Sequence, residues 1–162
     1  MNRYCIWLTI DSIRLRKIIL NLAQKYHGPI FQPHLTLIGR TNVSLNILKS
    51  ATYSFANDFN LSNVQGINTN FTNEYFQSYY IEIKEKQILT QLHKTMCESL
   101  NINCDKNYLP HISLMYNNIS KEEKEQIILP FDYDKPFDFR SIQITDCDGE
   151  VENWKPIFEF NI

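Results

Sequence analysis

The sequence predicts an α+β domain built on antiparallel β-sheets. Two observations carry this. Short β-rich runs alternate with stretches of helical period without a series of long parallel crossovers, and the chain closes on two strand-like runs joined by a turn. The size is sufficient for a buried core, with 162 residues of which 43% are hydrophobic and 21% charged. No low-complexity segment or linker divides the chain, so one domain of two lobes over residues 1–162 is expected.

Residues 4–10, YCIWLTI, form an apolar run that ends at Asp11-Ser12, a pair suited to cap the helix that follows. That helix is written in Ile13, Ile18, Ile19, Leu22, Ala23 and Tyr26, and Gly28-Pro29 stops it. HLTLIG after Pro33 is a second strand, and Ser44 opens a second helix through Leu45, Leu48, Thr52, Phe55 and Phe59. Asn and Thr dominate residues 60–74, where strand and loop share one composition. Residues 76–84, FQSYYIEIK, are predicted as a strand from their aromatic and β-branched content. Residues 87–100 return to helical spacing through Ile88, Leu92, Met96 and Leu100, and a polar connection then leads to a strand at HISLMY. Ser120 and Glu123 have capping-box spacing ahead of a short helix ending near Pro130. FDFRSIQITDC and WKPIFEF make the closing hairpin across Asp148-Gly149.

Sixteen Lys and Arg against eighteen Asp and Glu give a formal charge of −2, so no global positive field suits a duplex-coating protein. The four cysteines lack a C-x-x-C pair and read as reduced and packed; Cys97 and Cys104 are near enough in sequence for a redox bond, but free thiols are expected in a reducing compartment. The apolar run of residues 4–10 is too short for a signal peptide, and no run approaches the roughly 20 apolar residues that cross a bilayer. A cytoplasmic protein with no membrane partner is expected.

One local pattern occurs twice, as Pro33-His34-Leu35-Thr36-Leu37 and as Pro110-His111-Ile112-Ser113-Leu114. Alternate side chains of a strand share a face, so His34 and Thr36 point one way, about 6.6 Å apart along the chain, and the leucines point the other. The same holds for His111 and Ser113. Opening a cyclic phosphodiester needs a base to take a proton from water and an acid to protonate the departing sugar oxygen. Histidine, with an ordinary pKa near 6.5, supplies both. The hydroxyls of Thr36 and Ser113 are donors suited to the phosphate oxygens on which charge accumulates. This chemistry calls for no metal or cofactor.

The duplicated His-x-Ser/Thr-x signature resembles that of the two-histidine (2H) phosphoesterase superfamily. YCIWLTI, GPIFQPHLTLIG, LPHISLMY and the late Trp154 are similar to one branch, the cyclic phosphodiesterases acting on ADP-ribose 1″,2″-cyclic phosphate and nucleoside 2′,3′-cyclic phosphates. The resemblance implies a bilobal fold of two antiparallel sheets related by a pseudo-twofold around a central cleft, with helices on the outer faces. It also implies metal-independent hydrolysis to a phosphomonoester, with His34, His111, Thr36 and Ser113 as catalytic positions. Thr36 and Ser113 bind the phosphate, and Tyr116 lines the pocket as a stacking aromatic. The implied partner is a small cyclic nucleotide or cyclic sugar phosphate, taken by a monomer.

Other histidines have simpler readings. His27 suits the carbonyl end of the first helix, and His93 is a mid-helix packing residue. A zinc site on His34 and His111 lacks further ligands at metal spacing. Trp7 is assigned to the core, and Tyr75, Phe76, Tyr79 and Tyr80 to sheet packing rather than a nucleic-acid platform. Two rival functions share the site: cleavage of RNA ends or of a cyclic oligonucleotide, for which a basic track is wanting, and phosphate binding without turnover, against which all four polar residues are retained.

Overall fold

The structure is a computed structural model and describes residues 3–129 and 132–162. Strand β1 (Tyr4–Ile10) leads to helix α1 (Ile13–Tyr26), strand β2 (His34–Thr41) and helix α2 (Leu45–Asp58). Strands β3 (Asn63–Val64), β4 (Gly66–Phe71) and β5 (Tyr79–Ile83) follow, then α3 (Lys86–Leu100), β6 (His111–Met115), α4 (Lys121–Glu125), β7 (Phe137–Asp146) and β8 (Lys155–Asn161). None of the described helices is long and apolar enough to cross a membrane.

Every strand pairing is antiparallel, in the order β3-β7-β1-β2-β6-β5-β4 with β8 also on β7. The expected α+β class is therefore observed. The two sheets of the expectation meet edge to edge: β2 and β6, the strands that carry the duplicated motif, are joined by the single pair Leu35↔Ile112. A repeat is visible in the order of elements, β1-α1-β2-α2 against β5-α3-β6-α4. The last strand of each half crosses over, so that β4 pairs with β5 and β7 pairs with β1. The connecting helices cross too, α1 packing on β6 and α3 on β2.

Alternation on β1 explains the layering. Ile6, Leu8 and Ile10 join Leu35, Leu37, Ile112 and Leu114 in the main core, while Cys5 and Trp7 form a second small cluster with Cys147 on the opposite face. Burying each such aliphatic side chain contributes about 1.5–3 kcal/mol.

Local signals agree with the structure at several ends. Ser12 caps α1 by accepting from the Leu15 amide, and Ser120 and Glu123 form the expected capping box. Elsewhere the structure differs. His27 is the left-handed C-cap of α1 (φ 56°) rather than part of its last turn. Gly28 is needed beside it for closeness: a Cβ there would lie 2.9 Å from the Tyr116 carbonyl oxygen. Helix α4 stops at Glu125; the Tyr79 hydroxyl donates to the Ile127 carbonyl just beyond, and the Pro130 stop signal lies outside the described residues. The strand predicted from residue 76 starts only at Tyr79, because Tyr75–Gln77 form a 3₁₀ turn anchored by Thr72, whose hydroxyl donates to the Gln77 carbonyl at 2.8 Å. Phe76 is thereby removed from the sheet and stands exposed at the cleft.

Candidate functional site

The two motifs come together because their strands are neighbours. Continuing the register of Leu35↔Ile112 by one residue each way sets His34 opposite Ser113 and Thr36 opposite His111. All four line one cleft of about 320 Å³ on the sheet face away from α1 and α3.

The proline before each histidine has a structural purpose. Pro33 and Pro110 bias the residues before them, Gln32 and Leu109, toward extended backbone. Each carbonyl then meets the imidazole two residues on: His34 Nδ1 donates to Gln32 O at 2.6 Å, and His111 Nδ1 to Leu109 O at 2.7 Å. A carbonyl only accepts, so the proton of each neutral ring sits on Nδ1 and the lone pair is on Nε2. The two histidines are thus prepared in the same tautomer by the same local device.

Their surroundings differ. His34 is buried, with its ring stacked on Trp7 (centroids 3.8 Å, planes 15° apart), and its Nε2 accepts from the Tyr116 hydroxyl at 3.3 Å. Desolvation lowers its pKa to about 4, the Gln32 hydrogen bond opposing and the nearby His111 adding to the fall. His111 is half-buried with Tyr80 edge-on at 5.1 Å, and desolvation lowers its pKa against the opposing Leu109 hydrogen bond. Burial thus favours the neutral form of both rings.

Burial and hydrogen bonding around the motifs go beyond what strand alternation gives. The motif strands do not display their polar side chains to open solvent: Ser113 and His34 are almost wholly buried beneath the aromatic walls. Ser113 Oγ donates to the Phe76 carbonyl at 3.0 Å, so its proton must turn away from that carbonyl before it can serve a phosphate. Tyr116 lines the cleft with Phe31 stacked on its ring at 3.8 Å, and its hydroxyl reaches His34. Trp7 is buried as expected, yet it also floors the cleft through its stack on His34.

Arg40, Phe76 and Trp154 complete the walls. The Arg40 guanidinium lies 5.0 Å from the Phe76 ring and 5.2 Å from that of Trp154. Arg40 escaped the sequence reading because it lies outside the duplicated motif, although it stands six residues from His34 and alternation puts it on the same face. The strand is bulged against β1 on either side of Ile38, where the register slips between Trp7↔Thr36 and Ile6↔Ile38 and again before Tyr4↔Thr41.

An α+β fold in which two strand-borne pairs of a histidine and a hydroxyl converge on one cleft defines a class of acid–base site suited to phosphate esters. The chain belongs to the cyclic phosphodiesterase-like protein family, whose model matches residues 8–130, and through it to the 2H phosphoesterase superfamily. Among solved structures it is similar to E. coli LigT complexed with 3′-AMP (TM-score 0.67, 14% identity, 99% of this chain and 98% of that one). It is similar to a crystal structure of a phosphoesterase (0.66, 13%, 100% and 99%) and to TT0787 of Thermus thermophilus (0.61, 16%, 98% and 97%). These identities show a shared fold. No curated protein matches the sequence. Family membership makes the protein a phosphoesterase acting on phosphodiesters in general terms.

Proposed function

We propose that the protein hydrolyses a small cyclic phosphodiester, a nucleoside 2′,3′-cyclic phosphate or ADP-ribose 1″,2″-cyclic phosphate, by acid–base catalysis between His34 and His111. The observation that carries this is the matched pair of Nδ1 anchors, which leaves an Nε2 lone pair on each ring beside a neighbouring hydroxyl. One Nε2 takes a proton from the attacking water as the new P–O bond forms. The other, protonated on binding the anionic substrate, gives its proton to the sugar oxygen as the ring P–O bond breaks. Thr36 and Ser113 hold the non-bridging oxygens, and Arg40 adds a cation on the same wall. The exposed edge of Phe76 beside Trp154 is the surface for a base or sugar ring, the rings being 5.6 Å apart. Support for a nucleotide-sized ligand comes from the neighbour LigT, whose structures hold 3′-AMP, ATP and NADP+.

A second reading, an RNA ending in a cyclic phosphate, is favoured by one feature. A further cavity of about 430 Å³ shares Thr36, Gly39, Arg40, Gln77 and His111 with the cleft, which leaves room for a longer chain.

The test is incubation, with chelator present, with each of the four nucleoside 2′,3′-cyclic phosphates, with ADP-ribose 1″,2″-cyclic phosphate and with a short RNA bearing the same end. His34→Ala and His111→Ala are run in parallel. Turnover lost in both variants is expected, and the product isomer identifies the ester bond cut. Absence of turnover on all substrates by folded protein overturns the proposal, and turnover of the RNA alone selects the second reading.

A further inference from the structure

The second cavity has a feature that phosphoester chemistry does not use. His93 and Cys97 line it, and with Cys104 they form a cluster whose donor atoms all lie within 4.8 Å of one another. Its residues are outside the catalytic proposal.

Local structure explains how the three meet. His93 and Cys97 stand four residues apart on α3, hence on one face. Asn101 then ends the helix in a left-handed turn (φ 52°), its amide donating to the Cys97 and Glu98 carbonyls, and this reversal carries Cys104 back beside Cys97. The imidazole is held on two sides: Nδ1 donates to Leu37 O at 2.8 Å, and Tyr108 stacks on the ring at 4.0 Å with planes 8° apart. With the proton on Nδ1, His93 Nε2 carries the lone pair; Cys97 Sγ lies beside the ring, 3.6 Å from Nε2 and 3.9 Å from Nδ1.

The three donors lie within 4.8 Å of one another, and a turn of the Cys97 side chain about χ1 brings its sulfur from beside the ring into reach of a metal on the Nε2 lone pair. With Zn–N of about 2.05 Å and Zn–S of about 2.3 Å at the tetrahedral angle, the N···S distance comes to about 3.6 Å. Two thiolates and a neutral imidazole also cancel the charge of a divalent cation, as a mostly buried site requires. An anchored Nδ1 on the backbone is the outer support that metal-bound histidines ordinarily have.

We infer that His93, Cys97 and Cys104 form a structural binding site for a zinc-class divalent cation, with the fourth position open to the cavity for water. Binding forms one Zn–N and two Zn–S bonds, and the two thiol protons pass to solvent. The metal would tie the segment before His111 to α3 and to β2, which Tyr108 already touches by donating its hydroxyl to Thr36 O at 2.8 Å. His111 would thereby be held in place without the metal meeting substrate.

The experiment uses the full chain, reduced with a thiol-free phosphine and stripped by chelator. Zinc is titrated in competition with a chromophoric chelator, and cobalt(II) is used as the spectroscopic probe. One equivalent of submicromolar zinc and a thiolate-to-cobalt charge-transfer band are expected, with release of protons and a raised Tm on loading. Cys97→Ser and Cys104→Ser should each weaken binding by about a hundredfold or more, and His27→Asn should leave it unchanged. Circular dichroism checks the fold of each variant. Cys104 is only half-buried, so Cys104→Ser decides the matter even if Cys97→Ser unfolds. Reduced, folded wild type that binds no stoichiometric zinc overturns the inference, as does full affinity in Cys104→Ser or a cobalt spectrum without the charge-transfer band. None of these readouts depends on turnover of a phosphodiester.

Discussion

The Tyr116 hydroxyl stands 3.3 Å from His34 Nε2, the lone pair that would otherwise be free to meet a water or a sugar oxygen. Since Nδ1 already donates to Gln32, the tyrosine is the donor in this pair and favours the neutral ring. Tyr116→Phe should therefore move the limb of the kcat/KM pH profile that reports His34 to higher pH and change kcat/KM by on the order of tenfold. An unchanged limb would separate the hydroxyl from the histidine's titration.

The histidines themselves should behave as a unit. His34→Ala and His111→Ala are each expected to lower kcat by on the order of 10²–10⁴, and the double variant should lose less than the product of the two. Steady-state kinetics on the substrate identified above checks this. Fully multiplicative losses would mean that the rings act in separate steps.

Stability should depend on pH through the same residue. The folded pKa of His34, about 4, lies below the 6.5 of the unfolded chain, so the unfolded state binds more protons between these values. The stabilising contribution is full above pH 6.5 and is lost as the pH falls toward 4, a change of ~3 kcal/mol at 1.36 kcal/mol per pKa unit. His111, lowered for the same reason, adds in the same direction. Urea unfolding at pH 7.5 and 4.5 measures the slope, which His34→Asn should flatten.

Arg40 has no ion-pair partner among the described residues and leans on Phe76 and Trp154 at the cleft wall. Arg40→Met keeps its packing length and removes its charge. A KM raised on the order of tenfold with a smaller effect on kcat is expected if the cation holds the phosphate equally in ground and transition states.

Gly28→Ala should cost about 1–3 kcal/mol by overpacking, since its methyl group would meet the Tyr116 carbonyl at 2.9 Å and the Asn117 side chain at 3.3 Å. The displacement falls on the chain just after β6, so activity should decline along with the midpoint of thermal unfolding.

These residues show where the sequence is informative and where it stops. The strands under His34 and His111, the cap at Ser12 and the box at Ser120 are local patterns, fixed by neighbours two to four positions away, and they are readable for that reason. The anchoring carbonyls are implied by the two prolines, whose effect on the preceding residue is also local. Phe76 has strand-like neighbours in sequence, whereas a local hydrogen bond from Thr72 to Gln77 and a long-range one from Ser113 to the Phe76 carbonyl turn it out. Arg40 is on the face that alternation from His34 gives, but it lies outside the duplicated motif and no neighbour marks its role. The meeting of Cys104 with His93 depends on one left-handed residue, Asn101, and a single φ angle there decides it.

The crossed strands carry a consequence for how such a protein comes into being. Because β7 completes the sheet around β1 and β4 completes it around β5, a nascent chain that has emerged only through α2 holds one histidine motif but lacks both the edge partner of β1 and the neighbour of β2. The first half has to wait, with apolar strand edges exposed, until the second has been made. Loop closure over that distance slows folding, but it also couples the halves, so that a truncated product carries no partial cleft. Two separately expressed halves should recover the site only by finding each other, in the manner of a dimer whose subunits were later joined by residues 72–78.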